Sequence, residues 1–212
     1  MLQQGLHDYQ GCTDTHIFGW EPAENFGDDG WLRIRSGGWR STLIRYDLST
    51  LGEIPSIQKA TLYLYLLSRS NENAMTAHLH ELLRAWEEDE ATWEHSSTGN
   101  LWGAAGATAA GIDRSATALH SMPLSATNRW LAWDITDLLL SWAENPSSNY
   151  GIIIAGEGAG GVEYRFASSE YAWGDYLRPR LEIQFIQEAT ATATPTATIA
   201  ISSFVQLPLL MR

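Results

Sequence analysis

The chain has a single cysteine, Cys12, and a single lysine, Lys59, among 212 residues. One cysteine cannot close an intrachain disulfide, so packing and hydrogen bonds must hold the fold. One domain of about 180 residues plus a tail accounts for the length, and a domain of that size buries roughly 70% of its unfolded surface. Positive charge is scarce: 13 Lys+Arg stand against 25 Asp+Glu, a formal net charge of −12. No basic run is present, and without a Lys/Arg patch to release counterions from a phosphate backbone, nucleic-acid binding is excluded. Long apolar runs are missing too. Stretches such as Leu138–Leu140 and Ile152–Ile154 are short, whereas a membrane span needs ~20 apolar residues. Met1–Gly5 lacks the basic and apolar regions of a signal peptide, so the chain reads as cytosolic or as a mature or excised piece of something longer.

What the chain has in abundance is aromatic: ten Trp, eight Tyr and five Phe. Large aromatics serve either as core anchors of a sandwich or as stacking surfaces in glycan-binding proteins. The order of elements favours strands. Alternation or apolar runs mark Leu32–Arg35, Ser41–Leu48, Ala60–Leu66, Ala77–Leu82, Trp130–Ile135, Gly151–Ala155, Val162–Ala167 and Arg180–Ile186. In the third of these, Leu62, Leu64 and Leu66 share the inward face. One helix is expected over Asp137–Glu144, with Thr136 as its cap and Asn145-Pro146 as its stop. The expected fold is therefore all-β: a two-sheet antiparallel β-sandwich, jelly-roll-like, with one short helix. Residues 96–128 are rich in Ala, Gly, Ser and Thr with little periodicity, which suits a binding loop or a poorly ordered segment.

After Ile186 the composition changes. Residues 187–198 form a Thr/Ala/Pro linker, and residues 199–212 an apolar strip. Ile199, Ile201, Phe204, Val205 and Leu207 in that strip suit strand addition to a neighbouring copy or surface protein. A sorting signal is the competing account of the same residues.

Several segments in order carry a family resemblance. They are Leu2-Gln3-Gln4-Gly5, Asp14-Thr15-His16-Ile17, the turn Pro22 to Gly27, Arg40 to Leu51, Ala60 to Tyr65, Trp86-Glu87-Glu88 with Ala91-Thr92-Trp93, Trp133-Asp134-Ile135-Thr136, Phe166 to Tyr171, and Arg178 to Ile183. Together they resemble the DNRLRE-type domain, carbohydrate-binding module family 96, across residues 1–186, although the literal string Asp-Asn-Arg-Leu-Arg-Glu is absent. The resemblance implies a secreted β-sandwich, one module of a surface or polysaccharide-processing protein, with some members binding polysaccharide.

The residues themselves supply the candidate sites. Trp86, Trp93, Trp133 and Trp142 lie on or beside predicted elements and read as core. Trp20, Trp39, Trp102 and Trp173 lie in Gly-rich or polar turns, where an exposed ring can stack on a sugar. The densest patch is Tyr171-Ala172-Trp173-Gly174-Asp175-Tyr176, with Asp175 and Arg178 placed to meet sugar hydroxyls. Arg45, Asp47, Arg165 and Glu170 read as an ion-pair network inside the sandwich. Calcium is a candidate ligand of acidic turns at Asp14, Asp28 and Asp29, with Asp8 nearby. His78 and His80 share one strand face without a third metal ligand signalled nearby. Glycoside hydrolysis needs two carboxylates at a set separation, and no motif selects a pair from Glu157, Glu163, Glu170 and Asp175. The expected function is a noncatalytic, extracellular carbohydrate-binding or cell-surface module with polysaccharide as partner. A structural filament subunit and a polysaccharide-active enzyme are the rival classes. On charge alone a neutral glycan is preferred, because a net −12 repels a polyanion unless calcium or a local arginine patch intervenes.

Overall fold

A computed structural model describes residues 1–52 and 56–186. The linker and the strip with Ile199, Ile201, Phe204, Val205 and Leu207 lie outside the described residues. In chain order the strands are β1 (Leu2–Gln3), β2 (Cys12–Phe18), β3 (Trp31–Arg35), β4 (Arg40–Tyr46), β5 (Ile57–Arg69), β6 (Met75–Glu81), β7 (His95–Ser97), β8 (Asn100–Leu101), β9 (His120–Leu124), β10 (Arg129–Asp134), β11 (Ile152–Glu157), β12 (Glu163–Ala167) and β13 (Arg180–Phe185), with one α-helix, α1 (Thr136–Glu144), between β10 and β11.

The expected antiparallel sandwich is present. The 13-residue β5 organises the first sheet. One edge pairs with β10; the other pairs first with β13 and then, past Tyr63, with β12. β1 extends β13 and β3 extends β12. The second sheet runs β2-β4-β11-β6-β9. The two meet where Arg35 of β3 pairs with Arg40 of β4, which joins all eleven strands in one hydrogen-bonded network. Leu62, Leu64 and Leu66 point inward as expected and pack with Leu32, Ile34, Ile44, Leu79, Trp133, Ile152, Ile154 and Phe166 in the main core. Tyr164, fully buried there, places its hydroxyl between the carbonyls of Asn73 and Leu124, at 3.0 and 2.9 Å.

The helix begins one residue earlier than expected, and Thr136 does not cap it. Its Oγ1 instead accepts the Ala60 backbone N–H at 3.0 Å, tying helix to β5. Asp134 takes over at the helix entry, where its Oδ1 accepts the Thr136 N–H at 3.0 Å. The Thr136 hydroxyl donates to the same oxygen, and it, followed by the Thr136 N–H, holds the Asp134 carboxyl below its usual range.

The first half of residues 96–128 is a folded cover rather than an unstructured loop. From Leu82 onward the chain folds over the outer face of the second sheet. Leu82, Trp86, Ala91, Trp102 and Ala107 pack on Ile17, Leu43 and Ile153 in a second core. Trp102, expected in an exposed turn, is therefore buried, and its Nε1 donates to the Thr92 carbonyl at 2.9 Å. The reason is that β2, β4 and β11 carry apolar side chains on both faces, and the second face needs a cover. Asp113 shapes that cover. It is fully buried, and its carboxylate accepts the N–H groups of Gly103, Ala104 and Ala109 at 2.7, 3.0 and 3.1 Å while meeting Arg84 at 3.2 Å. Gly106 sits at φ +76° with Trp93 ring carbon 2.4 Å from where a Cβ would stand, so no larger residue fits.

The cover is expected to contribute strongly to stability. Trp86→Ala should cost about 3–5 kcal/mol through the cavity it opens. Asp113→Ala should cost about 3 kcal/mol or more, because it leaves three buried N–H donors without an acceptor. Urea titration of each variant against the parent measures both.

Candidate functional site

Alternation along β3 buries Leu32 and Ile34 and turns Trp31, Arg33 and Arg35 the other way. Residues two apart on a strand are ~6.6 Å from one another, so this row runs about 13 Å from Trp31 to Arg35. Loop aromatics extend it at both ends. Trp173, 68% exposed, stacks on Trp31 with ring centroids 5.5 Å apart and planes 5° apart. Tyr171 leans on Trp173 at 5.4 Å. At the other end Arg35 lies over the Trp20 ring, 4.4 Å from its centroid, and Trp20 is 58% exposed. Between them Arg33 sits 5.5 Å from the Trp31 centroid and is held by Asp29 at 3.0 Å. Arg165 of β12 lies opposite Arg33 in register. Trp39, also exposed, stacks on Trp93 at 6.4 Å, and its carbonyl accepts the Gly19 N–H next to Trp20.

Of the residues singled out in the sequence, Trp20, Trp39 and Trp173 are thus exposed, and Tyr171 and Trp173 join β3. Tyr176 and Asp175 are exposed but face elsewhere: with Gln3, Gln4, Gly5 and Leu6 they line a hollow of about 150 Å³. Arg178 has a bracing role, donating from Nε to the Tyr171 carbonyl at 3.2 Å and from Nη1 to the Gln4 carbonyl at 3.3 Å. Sequence reasoning missed Trp31, Arg33 and Arg35 as site residues. Their signal was the Leu32/Ile34 alternation itself, which sends the intervening side chains to the opposite face.

Behind the ridge, Glu163 gathers three arginines. Its Oε2 meets Arg40 at 2.8 Å and Arg35 at 4.0 Å, and its Oε1 meets Arg165 at 3.2 Å. The Arg40–Glu163 pair is buried, and the Arg40 guanidinium also covers the Phe18 ring at 3.5 Å. The ion-pair network expected from Arg45, Asp47, Arg165 and Glu170 is corrected by this arrangement; only Arg165 belongs to it. Arg45 lies over Trp86 and donates to its carbonyl at 3.3 Å, and Asp47 accepts the Ser49 N–H at 2.8 Å.

Glu170 joins a different group. Carboxylate oxygens of Asp14, Glu88 and Glu170 lie within 4.8 Å of one another. Among the described residues Asp28 and Asp29 do not join Asp14, since Asp28 is exposed and Asp29 is paired with Arg33. Asp14 Oδ2 accepts the Ser169 N–H at 2.9 Å and the Cys12 thiol at 3.8 Å. Burial and then Glu170 and Glu88 hold the Asp14 carboxyl well above its usual range, and burial pushes Glu88 up to about 7. His78 and His80 each have a partner of their own: Glu157 at 3.0 Å for His78 Nε2, and the Ser115 carbonyl at 2.9 Å for His80 Nδ1.

Removing Glu163 should strand a buried guanidinium. Glu163→Ala is expected to cost about 3–5 kcal/mol, and Arg40→Met in the same chain should restore much of it. A double-mutant cycle by chemical denaturation reads the coupling.

Much of the ridge lies in a segment that a family model matches. No curated protein matches the chain. The model of carbohydrate-binding module family 96 matches residues 8–111, from the turn before β2 to the cover, with Trp20, Trp31, Arg33, Arg35 and Trp39 inside the matched segment. The resemblance read from the sequence therefore holds, and over that segment the chain is similar to carbohydrate-binding module family 96.

Proposed function

We propose that the protein is a noncatalytic, extracellular module that binds a polysaccharide chain laid along the β3 ridge. The observation that carries this reading is the stacked Trp31–Trp173 pair, one ring of which is 68% exposed, in line with Arg33, Arg35 and Trp20. Aromatic rings offer flat apolar faces to the C–H faces of sugars, and guanidinium groups offer directional donors to hydroxyls and carboxylates. Stacking on Trp31 holds Trp173 before any ligand arrives, so less rotamer freedom is lost on binding. The match to family 96 supports the same class of ligand and the extracellular setting. No helix among the described residues is long and apolar enough to cross a membrane. The noncatalytic reading is supported at the ridge by its own acids: Asp29 and Glu163 are both engaged by arginines there.

Local charge alters the choice of glycan. The whole chain carries −12, which by itself favours a neutral ligand. At the ridge, however, Arg33, Arg35 and Arg165 stand together with the buried Arg40 behind, and among the described residues the acids paired with them are Asp29 and Glu163. Charges more than about 8 Å away are largely screened at physiological salt. The ridge therefore admits uronate-bearing chains as well as neutral ones.

Affinity electrophoresis through gels containing neutral or uronic-acid polysaccharides tests the reading. Trp173→Ala and Trp20→Ala should each weaken retardation by roughly 30-fold in apparent affinity, the scale of a truncated aromatic anchor at ~2 kcal/mol. Their melting temperatures should stay within about 3 °C of the parent, since both rings are exposed. Arg35→Ala should weaken an acidic glycan more than a neutral one. If no polysaccharide retards the parent protein, carbohydrate binding at this ridge is refuted.

A further inference from the structure

The acidic group formed by Asp14, Glu88 and Glu170 lies apart from the ridge's own hydrogen bonds, and the cation nearest Glu88, Arg45, is turned to Trp86 rather than paired with it. Asp14 comes from β2, Glu88 from the cover, and Glu170 from the loop after β12. Among the described residues, none of the three forms an ion pair with an arginine, lysine or histidine. Three carboxylates closing to within 4.8 Å of one another repel unless something positive or protonic sits between them.

A second observation points inward. Asp14 is fully buried, yet its Oδ1 has no hydrogen-bond partner; the Oε2 of Glu170 is likewise buried and unpartnered. The opposite oxygens are all fixed. Asp14 Oδ2 accepts the Ser169 N–H at 2.9 Å, Glu170 Oε1 accepts the Ser169 hydroxyl at 2.6 Å, and Glu88 Oε1 accepts the Asp14 N–H at 2.5 Å. Each carboxylate is thus oriented through one oxygen, and two of them leave a buried oxygen with no protein donor. A buried carboxylate oxygen without a donor costs several kcal/mol, and proteins relieve that cost by pairing the charge or by coordinating a metal.

We propose that Asp14, Glu88 and Glu170 form a calcium site. The donor set is all oxygen and all carboxylate, which selects a hard cation over zinc or copper. Calcium takes its oxygens at ~2.3–2.6 Å, so two ligands of one ion stand at most about 4.6–5.2 Å apart, and three oxygens all within 4.8 Å of one another meet that limit. Its irregular coordination suits three side chains brought from distant parts of the chain, with other oxygens filling the shell. Magnesium demands a shorter and more regular octahedron and keeps its waters. A bound ion would fasten the cover and the loop that begins at Glu170 to β2. Tyr171 and Trp173 follow Glu170 directly, so the ion would also steady one end of the ridge, although the site does not depend on any glycan being bound there.

The test uses the full chain stripped with chelator, followed by calorimetric melting in EDTA, CaCl2 or MgCl2 and by isothermal titration with CaCl2. Calcium at 100-fold its dissociation constant should raise the melting temperature by about 5–10 °C, and magnesium should do so by less. Glu88→Gln and Glu170→Gln should keep the fold, melt in EDTA no lower than the parent, and lose most of the calcium-dependent shift. Terbium should show tryptophan-sensitised emission in the parent that calcium displaces and that either variant loses. A parent whose melting temperature ignores calcium up to about 10 mM, roughly tenfold above the weakest dissociation constants of extracellular calcium modules, or variants that keep the full calcium shift, would overturn the proposal. In the first case the carboxyls share protons; in the second the ion binds elsewhere.

Discussion

The second sheet cannot leave either face in water, and much of the molecule follows from that constraint. On β4 and β11, Ile44, Ile152 and Ile154 belong to the main core, while the intervening Leu43 and Ile153 belong to the second. A strand of this kind reads as a continuous apolar run because both of its faces are buried. The main core uses one face against the first sheet. The other is closed by the segment from Leu82 onward, whose Trp86 and Trp102 seal their indole N–H groups on the carbonyls of Tyr150 and Thr92. Burying those faces is worth about 25 cal/mol per Å², and it holds only if the cover keeps its own polar groups satisfied. Asp113 meets that condition by taking three N–H groups and Arg84 at once.

With the second sheet enclosed, the first sheet and its loops carry the accessible aromatic surface. This explains how seven of the ten tryptophans divide between two roles, with Trp31, Trp93 and Trp130 half-buried. Trp86, Trp102, Trp133 and Trp142 are buried, whereas Trp20, Trp39 and Trp173 are exposed. The exposed ones are not isolated. Each rests on another aromatic ring or beneath an arginine, so its orientation is fixed by contacts that do not involve ligand. A single exposed apolar side chain needs no explanation. A row of them supported from behind is a surface organised for stacking.

How much of this was legible in the sequence depends on the type of interaction. β5, β10, β11 and β13 were readable because alternation or an apolar run is a local property of the chain. β2 was not read as a strand, since Asp14, Thr15 and His16 are polar in sequence and buried in the fold. Their burial is decided by β4, Ser169 and Glu88, which lie far along the chain. The cover failed for a similar reason: a stretch of Ala, Gly and Thr has no periodicity of its own, and Asp113 acquires its role only when Gly103, Ala104 and Ala109 are brought around it. Trp102 next to Gly103 looked like an exposed turn residue, yet the turn is folded back onto the sheet. The candidate site divides in the same way. Trp20, Trp39 and Trp173 were found from their loop setting. Arg33 and Arg35 read as strand residues and Trp31 falls just outside the expected strand Leu32–Arg35, although β3 is what aligns all three.

Charge placement completes the picture, and it runs against composition. An acidic chain with 13 basic residues has little positive charge to spend on any one region. Four of those residues, Arg33, Arg35, Arg40 and Arg165, nevertheless gather where the two sheets join through the Arg35–Arg40 pair. The corner requires this in part. Glu163 there is buried with Arg40, and a buried carboxylate must be met by a donor of opposite charge. Arg40 saturates the inner side of that carboxylate, so Arg35 and Arg165 approach it from the outside, half in solvent, with guanidinium edges still able to donate. The structural ion pair thereby sets the position of the outward arginines. In the same way, Asp14 on the neighbouring β2 is buried without such a donor, and it is there that Glu88 and Glu170 converge. The sandwich thus keeps its charges apart, with a cationic row along β3 and β12 that starts at the corner and a compact anionic group farther along β2. The first suits a hydroxyl-rich or carboxylated chain, the second a small hard cation.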